Sequence, residues 1–70
     1  MSRQAMFEAS ARYFLEPIAS YLDDESVTEI MVNGFDDIYI ERGGRLLHTE
    51  ARFASDDALL SAVHNVAQWV

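Results

Sequence analysis

The sequence has no cysteine, no lysine and a single proline. It contains five basic and twelve acidic side chains, which give a net charge of −7 over 70 residues. Without cysteine there is neither a disulfide nor a thiolate metal site. So acidic a chain, with no basic stripe, argues against a nucleic-acid partner and against charge-driven binding to an anionic membrane. No apolar run approaches the ~20 residues of a membrane-spanning helix, and Glu8 interrupts any signal-peptide core. We therefore expect one small domain, or part of one, that is not exported.

A Gly-Gly pair is the clearest local signal in the chain. Gly43-Gly44 separates two β-prone runs, and a type I′ hairpin turn requires positive φ at both central residues. This turn predicts a register in which Arg42 faces Arg45 and Tyr39 faces His48. Alternation then assigns Ile38, Ile40, Leu47 and Thr49 to one face, which we take as buried, and Tyr39, Glu41, Leu46 and His48 to the other.

Helical patterns surround this hairpin. Residues 3–14 predict a helix with Met6, Phe7, Ala11 and Phe14 on one side. Pro17 predicts a boundary and a short second helix over 17–22, with Ile18, Tyr21 and Leu22 facing inward. Residues 27–32 predict a strand with Thr28, Ile30 and Val32 on one face, followed by a turn at Asn33-Gly34. Ser55 predicts the N-cap of a last helix that runs towards Val70, with a stripe of Leu59, Leu60, Val63, Val66, Ala67 and Val70.

This order of elements predicts an α+β fold, in which N-terminal helices precede a small three-stranded sheet and the last helix packs on the open face of the hairpin. Residues 1–14 would be an N-terminal helix or extension, and residues 15–70 the leading part of a domain. The helical pattern is still apolar at Trp69-Val70, with no capping residue after it. We therefore expect the domain to continue beyond the given sequence.

Candidate chemical sites are weak in this chain. The Gly43-Gly44 pair between two arginines could be a phosphate nest, but a hairpin turn explains it better. His48 and His64 lack a metal-ligand pattern, and the acidic turn at residues 23–25 fails the calcium-loop spacing. There is no phosphate-binding loop, and nothing fixes a carboxylate pair such as Glu29 and Glu50 around a cleft. We expect no catalytic residue, no metal ligand and no cofactor site here.

Interaction surfaces are the better prediction. Several apolar side chains are hard to place in a small core, and such groups usually mark a covered surface. Arginines at a hairpin tip are suited to a partner's carboxylate or phosphate. The interface candidates are Phe35, Tyr39, Arg42, Arg45 and Trp69.

Two stretches resemble a known family. SVTEIMVNG at residues 26–34 and DDIYIERGGRL at residues 36–46 resemble the N-terminal domain of type II/IV secretion-system ATPases. The Tad/Flp pilus motors of the CpaF/TadA group are the most similar branch, related to the VirB11-like traffic ATPases. The flanking segments LEPIASYLDDE and FASDDALLSAVHNVA are similar to the family's lead-in helix and next capped helix, so the resemblance covers about residues 15–67. Glu25 departs from it, since a proline is common in the family's turn.

The resemblance implies a hexameric motor of two rings, in which RecA-like domains bind ATP and Mg²⁺. It implies that this chain supplies part of the N-terminal ring and not the hydrolysis. It also implies contacts with neighbouring copies and with an inner-membrane platform protein, at the cytoplasmic face of the membrane. The alternative is a free-standing small acidic adaptor or regulator related to that domain.

Overall fold

A computed structural model describes residues 2–67 of the chain. The elements in order are α1 (Arg3–Phe14), a 3-10 turn (Glu16–Ile18), α2 (Ala19–Leu22), β1 (Val27–Gly34), β2 (Asp37–Arg42), β3 (Arg45–His48) and α3 (Asp56–Ala67). The three strands form one antiparallel sheet in the order β1-β2-β3. The predicted α+β fold, with its last helix after the strands, is confirmed.

The helix boundaries follow from local chemistry. The Oγ of Ser2 accepts a hydrogen bond from the N–H of Ala5 at 3.1 Å and begins α1. Pro17 lies in the 3-10 turn that separates α1 from α2, as its fixed φ and missing N–H predict. The Oγ of Ser55 accepts from the N–H of Ala58 at 3.1 Å, and two acidic residues follow it in the first turn of α3. The predicted cap is therefore confirmed.

The β2–β3 hairpin has the predicted register. Tyr39 pairs with His48 and Arg42 with Arg45, and Gly43 and Gly44 have φ of +58° and +75°. These values suit a type I′ turn. On the predicted buried face, Ile38, Ile40 and Thr49 are buried. Leu47 is 38% exposed because it lies on β3, an edge strand that no further strand among the described residues covers.

The first hairpin differs from the prediction. Strand β1 continues through Asn33-Gly34, and the turn falls at residues 35–36. The pairing of β1 with β2 shifts at Thr28 and at Asn33, each of which is an extra residue on β1. An extra residue of this kind bends the strand and interrupts alternation. Thr28 is therefore exposed and donates to Glu41, instead of sharing the buried face with Ile30.

The core lies where the helices meet the Asp37 end of β2. Its buried members are Ile18, Ile38, Phe53 and Ala62, and partly buried apolar residues pack around them. Helix α3 contributes its small residues Ala58 and Ala62, together with Leu59, to this core. It also packs against α1. The predicted stripe of α3 is therefore wrong in part: Leu60 is 64% and Val63 57% exposed. Leu22 of α2, predicted to face inward, is 50% exposed, because α2 is a single turn and its last residue lies beyond the core.

Candidate interaction surfaces

The two arginines at the tip of the second hairpin differ in their contacts within residues 2–67. Arg45 is exposed. Arg42 is turned back towards the start of β1, where one of its terminal nitrogens (Nη2) lies 2.7 Å from Oδ2 of Asp24 and its Nε donates to the Oγ of Ser26 at 3.0 Å. Of the two tip arginines predicted to contact a partner, Arg42 is thus already paired with Asp24, whereas Arg45 makes no ion pair among residues 2–67.

Asp24, Ser26 and Arg42 form a cluster that ties the α2–β1 turn to the hairpin. Oδ1 of Asp24 accepts from the N–H of Ser26 at 2.9 Å and from its hydroxyl at 2.6 Å. These bonds from Ser26, followed by that from Arg42, hold the pKa of Asp24 below its usual value of 3.8. The acidic turn predicted at residues 23–25 is thus joined to the hairpin through Asp24. The Asp-x-Ser spacing is the signal that could have identified this Asx turn.

A second ion pair joins α1 to the end of α2. Arg12 donates from both terminal nitrogens to Asp23, at 3.0 and 2.7 Å. The hydrogen bond raises the pKa of Arg12 and lowers that of Asp23. Both side chains are more than half exposed, so the pair orients the helices and adds little to stability.

Phe35 occupies the first hairpin turn but packs inward. It contacts the core cluster, and the Arg52 guanidinium lies over its ring, 5.2 Å from the centroid. The Phe35 carbonyl accepts from the N–H of Phe53 at 2.7 Å. Phe35 thus links the turn to the segment after β3, and only part of the side chain is available to a partner.

The face of the sheet opposite the core, called here the outer face, carries Glu29, Met31, Asp37, Tyr39, Glu41, Leu46 and His48. The rings of Tyr39 and His48 are 4.6 Å apart and tilted by 44°. Nε2 of His48 lies 3.2 Å from Oδ1 of Asp37. Leu46 is 61% exposed. Tyr39 and His48 form the cross-strand pair predicted from the sequence.

Other surface features lie on the helices. An apolar groove of about 510 Å³ runs between the end of α1 and the start of α3, lined by Tyr13, Phe14, Pro17, Phe53 and Ala58 among others. Leu60 and Val63 lie exposed on α3. Trp69, the remaining interface candidate, lies outside the described residues. The interface roles of Phe35, Tyr39, Arg42, Arg45 and Trp69 remain predictions.

Residues 2–67 contain no cluster of three or more His, Cys, Asp or Glu side chains arranged to hold a metal ion. The three glycines lie in β1 and in the β2–β3 turn, so none forms a phosphate-binding loop at a helix N-terminus. Within the same described range, no helix is both long and apolar enough to cross a membrane.

The comparison with solved structures gave a match over most of the chain. No protein-family model matches the chain, and no curated protein matches it. Its fold is similar to part of the VirB11 ATPase from the Brucella suis type IV secretion system, crystallised with sulphate, with a TM-score of 0.74 and 27% identity. The match covers 87% of this chain and 19% of that one. The resemblance to the N-terminal domain of VirB11-like secretion ATPases is thereby confirmed, and this chain spans about a fifth of the matched protein.

Proposed function

We propose that this chain, which has the fold of an N-terminal domain of VirB11-like secretion ATPases, is the non-catalytic assembly and coupling module of a hexameric secretion or pilus-assembly ATPase. The observation that carries the proposal is the structural match to a VirB11 ATPase over 87% of the chain at 27% identity. The matched protein belongs to a type IV secretion system. The strand and hairpin motifs at residues 26–46 support a Tad-like pilus motor as the particular branch.

Nucleotide chemistry is assigned to other parts of the parent protein. The chain has no lysine for a phosphate, and its glycines are committed to a strand and a hairpin turn. The residues of this chain therefore do not form a binding site for ATP and Mg²⁺, which a separate motor domain would bind. The module's part is mechanical: it holds neighbouring copies in a ring and transmits their movement to a platform protein at the cytoplasmic face of the inner membrane.

Arg45 is the residue best placed to join one copy to the next. It lies at a hairpin tip whose backbone is fixed by two positive φ angles, and its charge is not used within the described residues. Arg42, by contrast, holds Asp24 and Ser26. Replacing both arginines would combine a surface effect with loss of an internal contact, so Arg45→Glu alone is the informative change.

The test uses the full-length product of the reading frame that encodes this chain. Light scattering measures its oligomeric state, and phosphate release measures ATP hydrolysis. We expect a hexamer with ATPase activity, and we expect Arg45→Glu to weaken assembly while Arg3→Glu, a matched change at another exposed arginine, does not.

Two results would contradict the proposal. A full-length product that neither assembles nor hydrolyses ATP would overturn the motor assignment. A frame that ends at residue 70 and yields a stable monomer would favour the free-standing adaptor. Assembly that is unchanged by Arg45→Glu would refute only the role of the hairpin tip.

A further inference from the structure

The outer face of the sheet combines acidic and apolar side chains in two cross-strand rows. Glu29 pairs with Glu41, which pairs with Leu46. In the next row Met31 pairs with Tyr39, which pairs with His48. Residues directly opposite on antiparallel strands have side chains close together on the same face. The surface therefore presents two glutamates at directly opposed positions, beside a row of apolar and aromatic residues.

The Glu29–Glu41 pair is unfavourable in the isolated sheet, because like charges directly opposite each other are destabilising. Glu41 accepts one hydrogen bond at Oε1, from the hydroxyl of Thr28 at 3.0 Å. Both tip arginines are on the other side of the sheet by alternation, and Arg42 reaches Asp24 there. Within residues 2–67 the pair has no arginine to neutralise it.

We propose that the outer face is a docking surface for a cationic segment of another protein, in which arginine or lysine alternates with aliphatic residues. The basic groups would neutralise Glu29 and Glu41, and the aliphatic groups would cover Leu46 and Tyr39. A second copy of this chain is the wrong occupant, since two such faces would bring four glutamates together. The inference depends on the sheet alone and stands independently of the ATPase assignment.

The experiment is an NMR titration of the 70-residue chain with a short synthetic peptide that alternates arginine with valine. A peptide of the same length that alternates glutamate with valine is the probe control. We expect amide shifts confined to the outer-face residues of β1, β2 and β3 with the arginine peptide only. Binding should weaken as salt is raised, because the ion pairs are exposed.

Two pairs of variants locate the site. Glu29→Gln with Glu41→Gln should weaken binding by about tenfold, whereas Glu16→Gln with Glu25→Gln, exposed acids elsewhere with the same charge change, should not. Leu46→Ser should weaken it as well, and Leu60→Ser, at a nearly equal exposure of 64% against 61%, should leave it unchanged.

The outcomes separate specific docking from attraction to a chain of net charge −7. Equal losses in the two double-glutamate variants would overturn the proposal, as would shifts centred on another face or equal binding of the glutamate peptide. The Glu29/Glu41 variant removes a repulsion, so it should fold at least as stably as the original chain. It therefore keeps the test decisive even if Leu46→Ser fails to fold.

Discussion

Replacing Ile38 by alanine should remove a large fraction of the stability of this domain. The Ile38 side chain is fully buried, at 0% exposure, in the cluster that joins the sheet to Ile18, Phe53 and Ala62. Its carbonyl accepts from both the N–H and the hydroxyl of Thr49, at 2.9 and 2.8 Å. The backbone is thus fixed around the side chain, and little collapse into the cavity is expected.

The magnitude follows from burial. Truncating a buried isoleucine to alanine costs roughly 2–5 kcal/mol. A chain of 70 residues has a total stability of roughly 3.5–10.5 kcal/mol, at about 0.05–0.15 kcal/mol per residue. For a domain of this size, each kcal/mol shifts the melting temperature by roughly 4–8 °C. We therefore expect Ile38→Ala to melt ~8–40 °C lower, or not to fold.

Urea unfolding followed by circular dichroism measures the change, with Val32→Ala as the matched control. Val32 is the cross-strand partner of Ile38 but is 39% exposed, so its truncation should cost below about 1 kcal/mol. The midpoint should fall with little change in slope. Equal losses at the two positions would show that the core is not centred on Ile38 and would refute the reasoning.

Two further predictions concern the turns. The folded-state pKa of Asp24 lies below its usual value, so its stabilising contribution is complete above the unfolded-state pKa and is lost as pH falls through the folded-state pKa. Unfolding midpoints measured from about pH 6 down to about pH 2 should therefore depend less steeply on pH in Asp24→Asn than in the original chain. The control is Glu25→Gln, which should keep the original pH dependence. The same pH dependence in Asp24→Asn as in the original chain would contradict the contacts of the Asp24 cluster. Gly44→Ala should lower the free energy of unfolding by roughly 1–2 kcal/mol, measured by thermal melting. The cause is the φ of +75° at this position and not a clash, since no atom lies within 4 Å of the added Cβ. Gly34→Ala, at ordinary φ with its nearest neighbour 3.9 Å away, should cost less, and the reverse order would count against the turn assignment.

Local signals in the sequence predicted the elements well. The α1 bounds, the Ser55 cap and the β2–β3 register each depend on residues close together in the chain, namely a helical stripe, a hydroxyl and a Gly-Gly pair. The turn after β1 was missed because Asn33-Gly34 is a strong turn dipeptide. The two extra residues on β1 carry the strand past it, which no dipeptide preference reveals.

The inward face of α3 was harder to predict because the prediction favoured the largest apolar residues. Ala62 is fully buried while Leu60 and Val63 are exposed. Helix α3 presents small residues to the core cluster, where the large side chains of Phe53 and Phe14 already lie. Which face of α3 turns inward therefore depends on the size of the side chains it packs against. Likewise, the hydrophobic pattern alone did not reveal that Arg42 would turn back to Asp24, since the two are 18 positions apart.

The connectivity of the sheet has a kinetic consequence. In the part of the chain that the structure describes, strands pair only when they are consecutive in sequence. The two hairpins therefore close short loops and form contacts of low sequence separation, which favours rapid folding. The packing of α1 against α3 instead joins residues near the start and the end of the described range. Forming that contact has the greatest entropic cost of loop closure. We therefore expect the sheet to form first and the two helices to pack together last.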